Sequence, residues 1–310
     1  MKLIKKAKYW IILSIIFTYA LTFIGGFVRV TDSGLGCPDW PKCLDRWYPP
    51  LKSSDVPEDF AKYYSNYNCV DGEDCDEFNI FKAWTEYLNR LFGVTTGIVI
   101  TIMFFYLFRL RTDCKLAFYL GGGAFFLTIV EGLIGKYVVS SHLEGSLITI
   151  HLLMALIIIS LLIMSYSVTL YKSINIKSSY TPSQINIINW IFIFMIAGII
   201  LGTQIRESLE NFIPLSVMGP FKYIHSFVGI GILMLTGVLW NKINDDELII
   251  NTKNQVKWLL NIFIVQIGLG YFMVFGGLPI YAKLLHMWLA SISIGIIVYI
   301  LMDIKLSKVE

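Results

Sequence analysis

Eight runs of roughly twenty apolar residues, separated by short charged connections, constrain this chain more than any other feature. A run of that length crosses a hydrocarbon layer about 30 Å thick as a helix. Lipid offers backbone groups no partners, so helices and closed barrels are the only spanning forms. Barrel strands alternate polar and apolar residues over about ten positions. These runs are longer and uniformly apolar. The pattern predicts spans at 9–30, 83–108, 116–138, 147–170, 185–204, 221–240, 257–275 and 281–302. Only 15% of the 310 residues are charged, against about 25% in a soluble domain. The expected fold class is all-α integral membrane, eight transmembrane helices with membrane lipid around them.

The connections orient the spans. Lys2, Lys5, Lys6 and Lys8 precede the first, and Arg109, Arg111 and Lys115 join the second to the third. Lys172 and Lys177 join the fourth to the fifth, Lys242 and Lys253 the sixth to the seventh, and Lys305 and Lys308 follow the eighth. The alternate loops are nearly free of positive charge, so both termini are expected in the cytoplasm. The net charge of +3 is a topology signal and does not point to nucleic acid. The basic start resembles a signal peptide, but the run after it is too long and lacks a small-residue cleavage site. It reads as a retained first helix. With no Arg- and Ser-rich transit peptide visible, a bacterial plasma membrane is the expected location.

One outer connection, 31–82, is long and holds Cys37, Cys43, Cys69 and Cys75. An oxidising outer compartment permits disulfides. Four cysteines allow three pairings, and the two six-residue spacings favour Cys37 with Cys43 and Cys69 with Cys75. Loop stapling and a redox role both remain open. Cys114 falls on the reducing side and is expected to be a free thiol.

The chain also resembles itself. Glu131-Gly-Leu-Ile-Gly135 is followed sixteen residues later by His151-Leu-Leu-Met-Ala155. Gln266-Ile-Gly-Leu-Gly270 is followed sixteen residues later by His286-Met-Trp-Leu-Ala290. Asn89-Arg-Leu-Phe-Gly93 matches His225-Ser-Phe-Val-Gly229, and Gly25 with Arg29 matches Gly202 with Arg206. Three matches in one order imply a duplication. The expected organisation is two tandem four-helix bundles, 1–175 and 176–310, related by a pseudo-two-fold axis along the membrane normal.

The duplication organises the histidines. His225 and His286 begin spans six and eight, about 6–10 Å below the outer surface, and His151 begins span four at the same depth. The repeat pairs His225 with Asn89. A single intramembrane histidine is more often packed than ligating. Two at equal depth in one bundle suit bis-axial haem ligation, whereas zinc would want further ligands close by. Gly93, Gly97, Gly229 and Gly231 remove bulk for a flat macrocycle, or serve helix packing. Arg29, Arg206, Lys136, Lys222 and Lys283 gather near the outer ends, where they pair with propionates or snorkel to the interface. Glu86 shares a helix face with Asn89. It either passes protons or pairs with Arg90 or Lys82. Glu131, aligned with Gln266, reads as a bridge between helices. His142 reads as a solvated loop residue.

At these residues the sequence resembles the haem A synthase family. The most specific segment is Gly25-Gly-Phe-Val-Arg-Val-Thr-Asp-Ser-Gly-Leu-Gly-Cys-Pro-Asp-Trp-Pro-Lys-Cys43. Glu86-Tyr-Leu-Asn-Arg90 is similar to the family's Glu-x-x-His-Arg motif, and His151, His225 and His286 fall at its other histidines. The resemblance implies oxidation of a haem O methyl group to a formyl group, giving haem A for cytochrome oxidase. It implies a resident haem b on His225 and His286, and haem O near Asn89 and His151. It makes Glu86 the catalytic candidate and Cys37 with Cys43 the outer-loop pair. Haem O synthase and cytochrome oxidase assembly proteins are the implied partners. A homo-oligomer is compatible with the pattern and not specified by it. A membrane cytochrome, or an assembly factor without catalysis, is the alternative. Asn89 departs from the family's histidine. The additional pair Cys69 and Cys75 also departs, and the matching loop of the second half, about 205–220, lacks cysteine.

Overall fold

The computed structural model describes residues 2–57, 78–172, 180–210, 213, 218–243 and 250–307. Among them are eight long helices: α1 (Lys2–Val30), α2 (Ile80–Arg109), α3 (Lys115–Ser140), α4 (Gly145–Tyr171), α5 (Pro182–Glu210), α6 (Phe221–Lys242), α7 (Ile250–Phe275) and α8 (Ile280–Ser307). Each contains a stretch long and apolar enough to cross a membrane. The chain is a multi-pass membrane protein. The described residues contain no β-strand, only an isolated bridge between Cys43 and Arg46. The helices run past the expected spans, most at α5, and α1 continues back through the basic segment to Lys2. Lysine is a good helix former and carries its charge outward on a long stem.

Helix starts follow local chemistry. Asn79 caps α2, its Oδ1 accepting from the Lys82 amide at 3.0 Å. Pro182 opens α5 with its φ already helical. Large apolar side chains face outward, among them Phe275 at 81% and Phe227 at 72% exposure. Such surfaces suit lipid.

In each half, every helix packs on the next and the last returns to the first: α1 on α2 and α4, α3 on α2 and α4, α5 on α6 and α8, α7 on α6 and α8. The halves meet through α8, which packs on α1 and α4 and is the most buried span. Trp288 donates its indole N–H to the Tyr19 carbonyl at 3.0 Å across this seam. Gly26 lets α1 approach α8 there: a Cβ on it would stand 2.1 Å from Met287 Cε. The boundary expected near residue 175 lies outside the described residues.

The tight cores occupy one end. Ile11, Met103, Leu107 and Leu162 fill the first half, and Ile188, Ile191, Leu239, Leu259 and Ile297 the second. The starts of α1, α3, α5 and α7 lie at this end. Gln184 of α5 donates to the Lys242 carbonyl at 2.8 Å, and Tyr180 bonds Asp303 of α8. The opposite end carries Asn89, His151, His225 and His286.

Candidate functional site

The end that carries the histidines is closed over α2 by the segment after α1. Cys37 and Cys43 form a disulfide with Cα atoms 4.8 Å apart, and both are fully buried. Gly36 lies directly on the α2 backbone, where a Cβ would stand 2.4 Å from the Lys82 carbonyl. Only glycine fits that approach. Arg90 donates to the Asp39 carbonyl at 2.6 Å, to the Lys42 carbonyl at 3.0 Å and to the Cys37 carbonyl. Asp39 accepts from the Leu44 amide at 2.7 Å and the Asp45 amide at 2.9 Å. The indole of Trp84 donates to the Pro50 carbonyl at 3.0 Å. The result is a folded cap held chiefly by α2, with Lys136 of α3 over its Trp40 ring.

Glu86 belongs to the same network. One carboxylate oxygen accepts from the Cys37 amide at 2.6 Å, and the other pairs with Arg90. Of the two readings of Glu86, pairing with Arg90 is present in the structure. Cys69 and Cys75 lie outside the described residues. Cys114 is a buried free thiol at the opposite end, ahead of α3, and burial pushes its pKa up.

Beneath the cap, each candidate ligand position meets a glycine of the preceding helix. A Cβ on Gly25 would stand 3.9 Å from Asn89 Oδ1, and one on Gly135 3.4 Å from His151 Cε1. One on Gly202 would stand 3.3 Å from His225 Cε1, and one on Gly270 3.9 Å from His286 Cε1. These are the glycines the repeat aligns. The missing side chains leave room for an imidazole against the neighbouring helix.

The structure brings His225 and His286 together across the second bundle. Their ring centres are 6.2 Å apart, with planes inclined at 58°. His225 Nδ1 lies 3.0 Å from the Gly198 carbonyl and His286 Nδ1 3.1 Å from the Gln266 carbonyl. With Nδ1 donating, Nε2 of each ring keeps its lone pair for a metal. Two metal–imidazole bonds of about 2.0–2.1 Å, each with a ring centre about 1.1 Å beyond, predict a separation of about 6.3 Å. The observed separation fits one iron shared by the two rings. The described residues contain no group of three or more His, Cys, Asp or Glu that could hold a metal ion. A Cβ on Gly229 or Gly268 meets nothing within 4 Å, so the space beside these glycines is open. Gly231 differs: its added Cβ would touch Phe194 of α5 at 3.9 Å, so it serves helix packing.

The first bundle repeats this space at Gly93, Gly97 and Gly132 but not the ligands. His151 lies with Nδ1 3.1 Å from Glu131 Oε1 and its side chain 40% exposed. Asn89 Oδ1 is buried without a hydrogen-bond partner among the described residues. Arg29 ends α1, and Arg206 of α5 lies 3.5 Å from Met287 Sδ. Lys136 stands over the Trp40 ring at 5.6 Å, and Lys222 over the Tyr223 ring at 4.9 Å. His142 sits in the exposed turn after α3 with φ of 60°.

One feature escaped the sequence reading: the reach of Arg90 into three loop carbonyls had no sequence signal beyond its place beside Glu86. Glu131, expected as a bridge between helices, reaches from α3 to His151 of α4.

Fold and site together define a membrane protein with eight long apolar helices among the described residues and two imidazoles facing each other across one bundle. The chain belongs to the COX15-CtaA family, described as cytochrome oxidase assembly protein, whose pattern matches residues 8–218. It is similar to a protein named heme A synthase from Wolbachia sp. subsp. Brugia malayi, 26% identical over 94% of both chains. A heme A synthase of Rickettsia felis is also 26% identical, over 96% of this chain and 98% of its own. One from Nitrosospira multiformis is 34% identical over 45% of this chain and 39% of its own.

Proposed function

We propose that this chain is a haem A synthase, an oxidoreductase that takes haem O and converts a porphyrin methyl group to a formyl group by successive hydroxylation. The observation that carries the reading is the His225–His286 pair, with ring centres 6.2 Å apart and both Nδ1 atoms tied to backbone carbonyls, in a chain of this family. In this reading the second half, 176–310, holds a resident haem b on those two histidines. That haem supplies electron transfer. The first half, 1–175, receives haem O beside His151 and Asn89; Arg29 of that half and Arg206 of the second are the candidates for propionates. Glu86 is the acid–base candidate of that half. Using it so requires one of its bonds, to Arg90 or to the Cys37 amide, to open.

The two halves are proposed as tandem bundles of one hand, related by a pseudo-two-fold axis along the membrane normal. The site end faces outward and both termini lie in the cytoplasm of a bacterial cell, across its plasma membrane. The lysine pattern supports this, as does a disulfide at the site end with a free thiol at the other. Haem O synthase is the proposed supplier and cytochrome oxidase the destination.

The test is co-expression with a haem O synthase, followed by extraction and chromatography of the haems. Haem A or its hydroxylated intermediate is the expected product. Asn89 favours a second reading, a haem-holding protein without catalysis. Recovery of haem B and haem O alone from a folded, haem-loaded chain would establish that reading and sink the first.

A further inference from the structure

The two halves hold their matched histidines through the same ring atom but by different acceptors. His286 Nδ1 meets the backbone carbonyl of Gln266, whose side chain turns aside and donates to the His286 carbonyl at 3.2 Å. His225 Nδ1 also meets a backbone carbonyl, that of Gly198. At the place of Gln266 the first half has Glu131, and there the carboxylate itself stands 3.1 Å from His151 Nδ1. The two groups are at ion-pair distance without the alignment of a full hydrogen bond. Glu131 is 14% exposed and His151 40%, so the carboxylate lies inside and the ring presents its open side. Glu131 Oε2 is buried without a hydrogen-bond partner among the described residues.

We infer that Glu131 is the positioning residue of the first half: its carboxylate fixes the tautomer and orientation of His151 and makes Nε2 a stronger electron donor to iron than the histidines of the second half. This rests on the proposed reading that the first half takes haem O. A carboxylate at ion-pair distance attracts the ring N–H more strongly than a neutral carbonyl does. Carboxylates behind ligand histidines raise ligand basicity, and losing such a partner typically changes metal affinity or activity about 10–100-fold. Asn89 matters to the same asymmetry. The second half offers two imidazoles on neutral acceptors. The first offers one imidazole backed by a charge, opposite a poor iron ligand. Strong donation from one side with the other side open suits oxygen chemistry, whereas two equal imidazoles suit electron transfer.

The experiment compares the purified full-length chain with Glu131→Gln, both supplied with excess haem O, by optical redox titration that resolves the two haems. Glutamine keeps the volume and a neutral acceptor and removes the charge. The expected result is a roughly tenfold fall in ferric-over-ferrous preference at the first-half haem, about 59 mV upward for one electron. The second-half haem is the internal control and stays unmoved. Selective loss of the first-half haem also supports the assignment, since only the ring held by Glu131 is affected. Glu131→Asp keeps the charge and is expected to stay within twofold of the parent. An unchanged midpoint in a Glu131→Gln chain that keeps both haems overturns the inference alone, as does a Glu131→Asp shift as large as that of Gln. A parent chain that never takes a second haem overturns the underlying reading and the inference with it.

Discussion

Arg90→Met removes the guanidinium that holds the cap over α2 and keeps most of the aliphatic stem. Three carbonyls, of Cys37, Asp39 and Lys42, lose their donor, and Glu86 loses its counter-charge. The Arg90 side chain is 13% exposed and that of Glu86 4%, so water compensates neither loss well. Removing one partner of a buried ion pair costs about 3–5 kcal/mol, and a hydrogen bond to a charged group contributes about 1.5–3 kcal/mol. These bonds act as one unit and do not add. Taking only the lower bound, about 3 kcal/mol of cap-opening free energy is lost, roughly a hundredfold in the open population. The buried Cys37–Cys43 disulfide meets a reductant only when the cap opens. Its reduction rate therefore tracks that population when reclosing is fast. The assay uses a chain with Cys69, Cys75 and Cys114 replaced by serine, so that only this pair reports. A water-soluble phosphine reduces it, and a maleimide gel shift counts the thiols over time. Arg90→Met is expected to react about a hundredfold faster than its parent. Equal rates would refute the claim that Arg90 holds the cap.

Three further predictions concern the site and the opposite end. His225→Ala or His286→Ala abolishes the low-spin bis-histidine spectrum, and Asn89→His adds a second low-spin signal when haem O is supplied; an unmoved spectrum removes the corresponding assignment. Gly202→Val displaces the His225 ring, since even a Cβ there lies 3.3 Å from Cε1, and lowers haem retention severalfold or more. Gly231→Ala, whose Cβ meets Phe194 at ordinary contact distance, leaves retention unchanged; equal effects would deny the glycine–histidine contact. The Cys114 thiol, pushed up by burial, carries less thiolate at any given pH than an ordinary cysteine, and only the thiolate reacts. Its alkylation in the folded chain is slower than that of a free thiol at pH 8, and its rise with pH is displaced upward; a normal profile would contradict it.

The sequence made the number and class of the helices legible because a spanning segment must satisfy its own backbone and match the bilayer thickness. The sequence also made legible that His151, His225 and His286 each fall within the first two turns of a helix. The neighbours of those residues were less legible. Glu86 stood open between two roles, and its pairing with Arg90 and the Cys37 amide required the loop to fold back onto α2. Gly93 and Gly231 read alike in sequence, yet one faces open space and the other Phe194.

The physical reason lies in what the spans pack against. A soluble helix shows its buried face by alternating apolar and polar residues. Here lipid is as apolar as the core, so the same side chains suit either direction, and periodicity does not report rotation about the helix axis. The sequence by itself therefore determined a membrane chain of eight spanning helices. Tertiary structure alone decided which atom each ring meets: a backbone carbonyl for His225 and His286, and the carboxylate of Glu131 for His151.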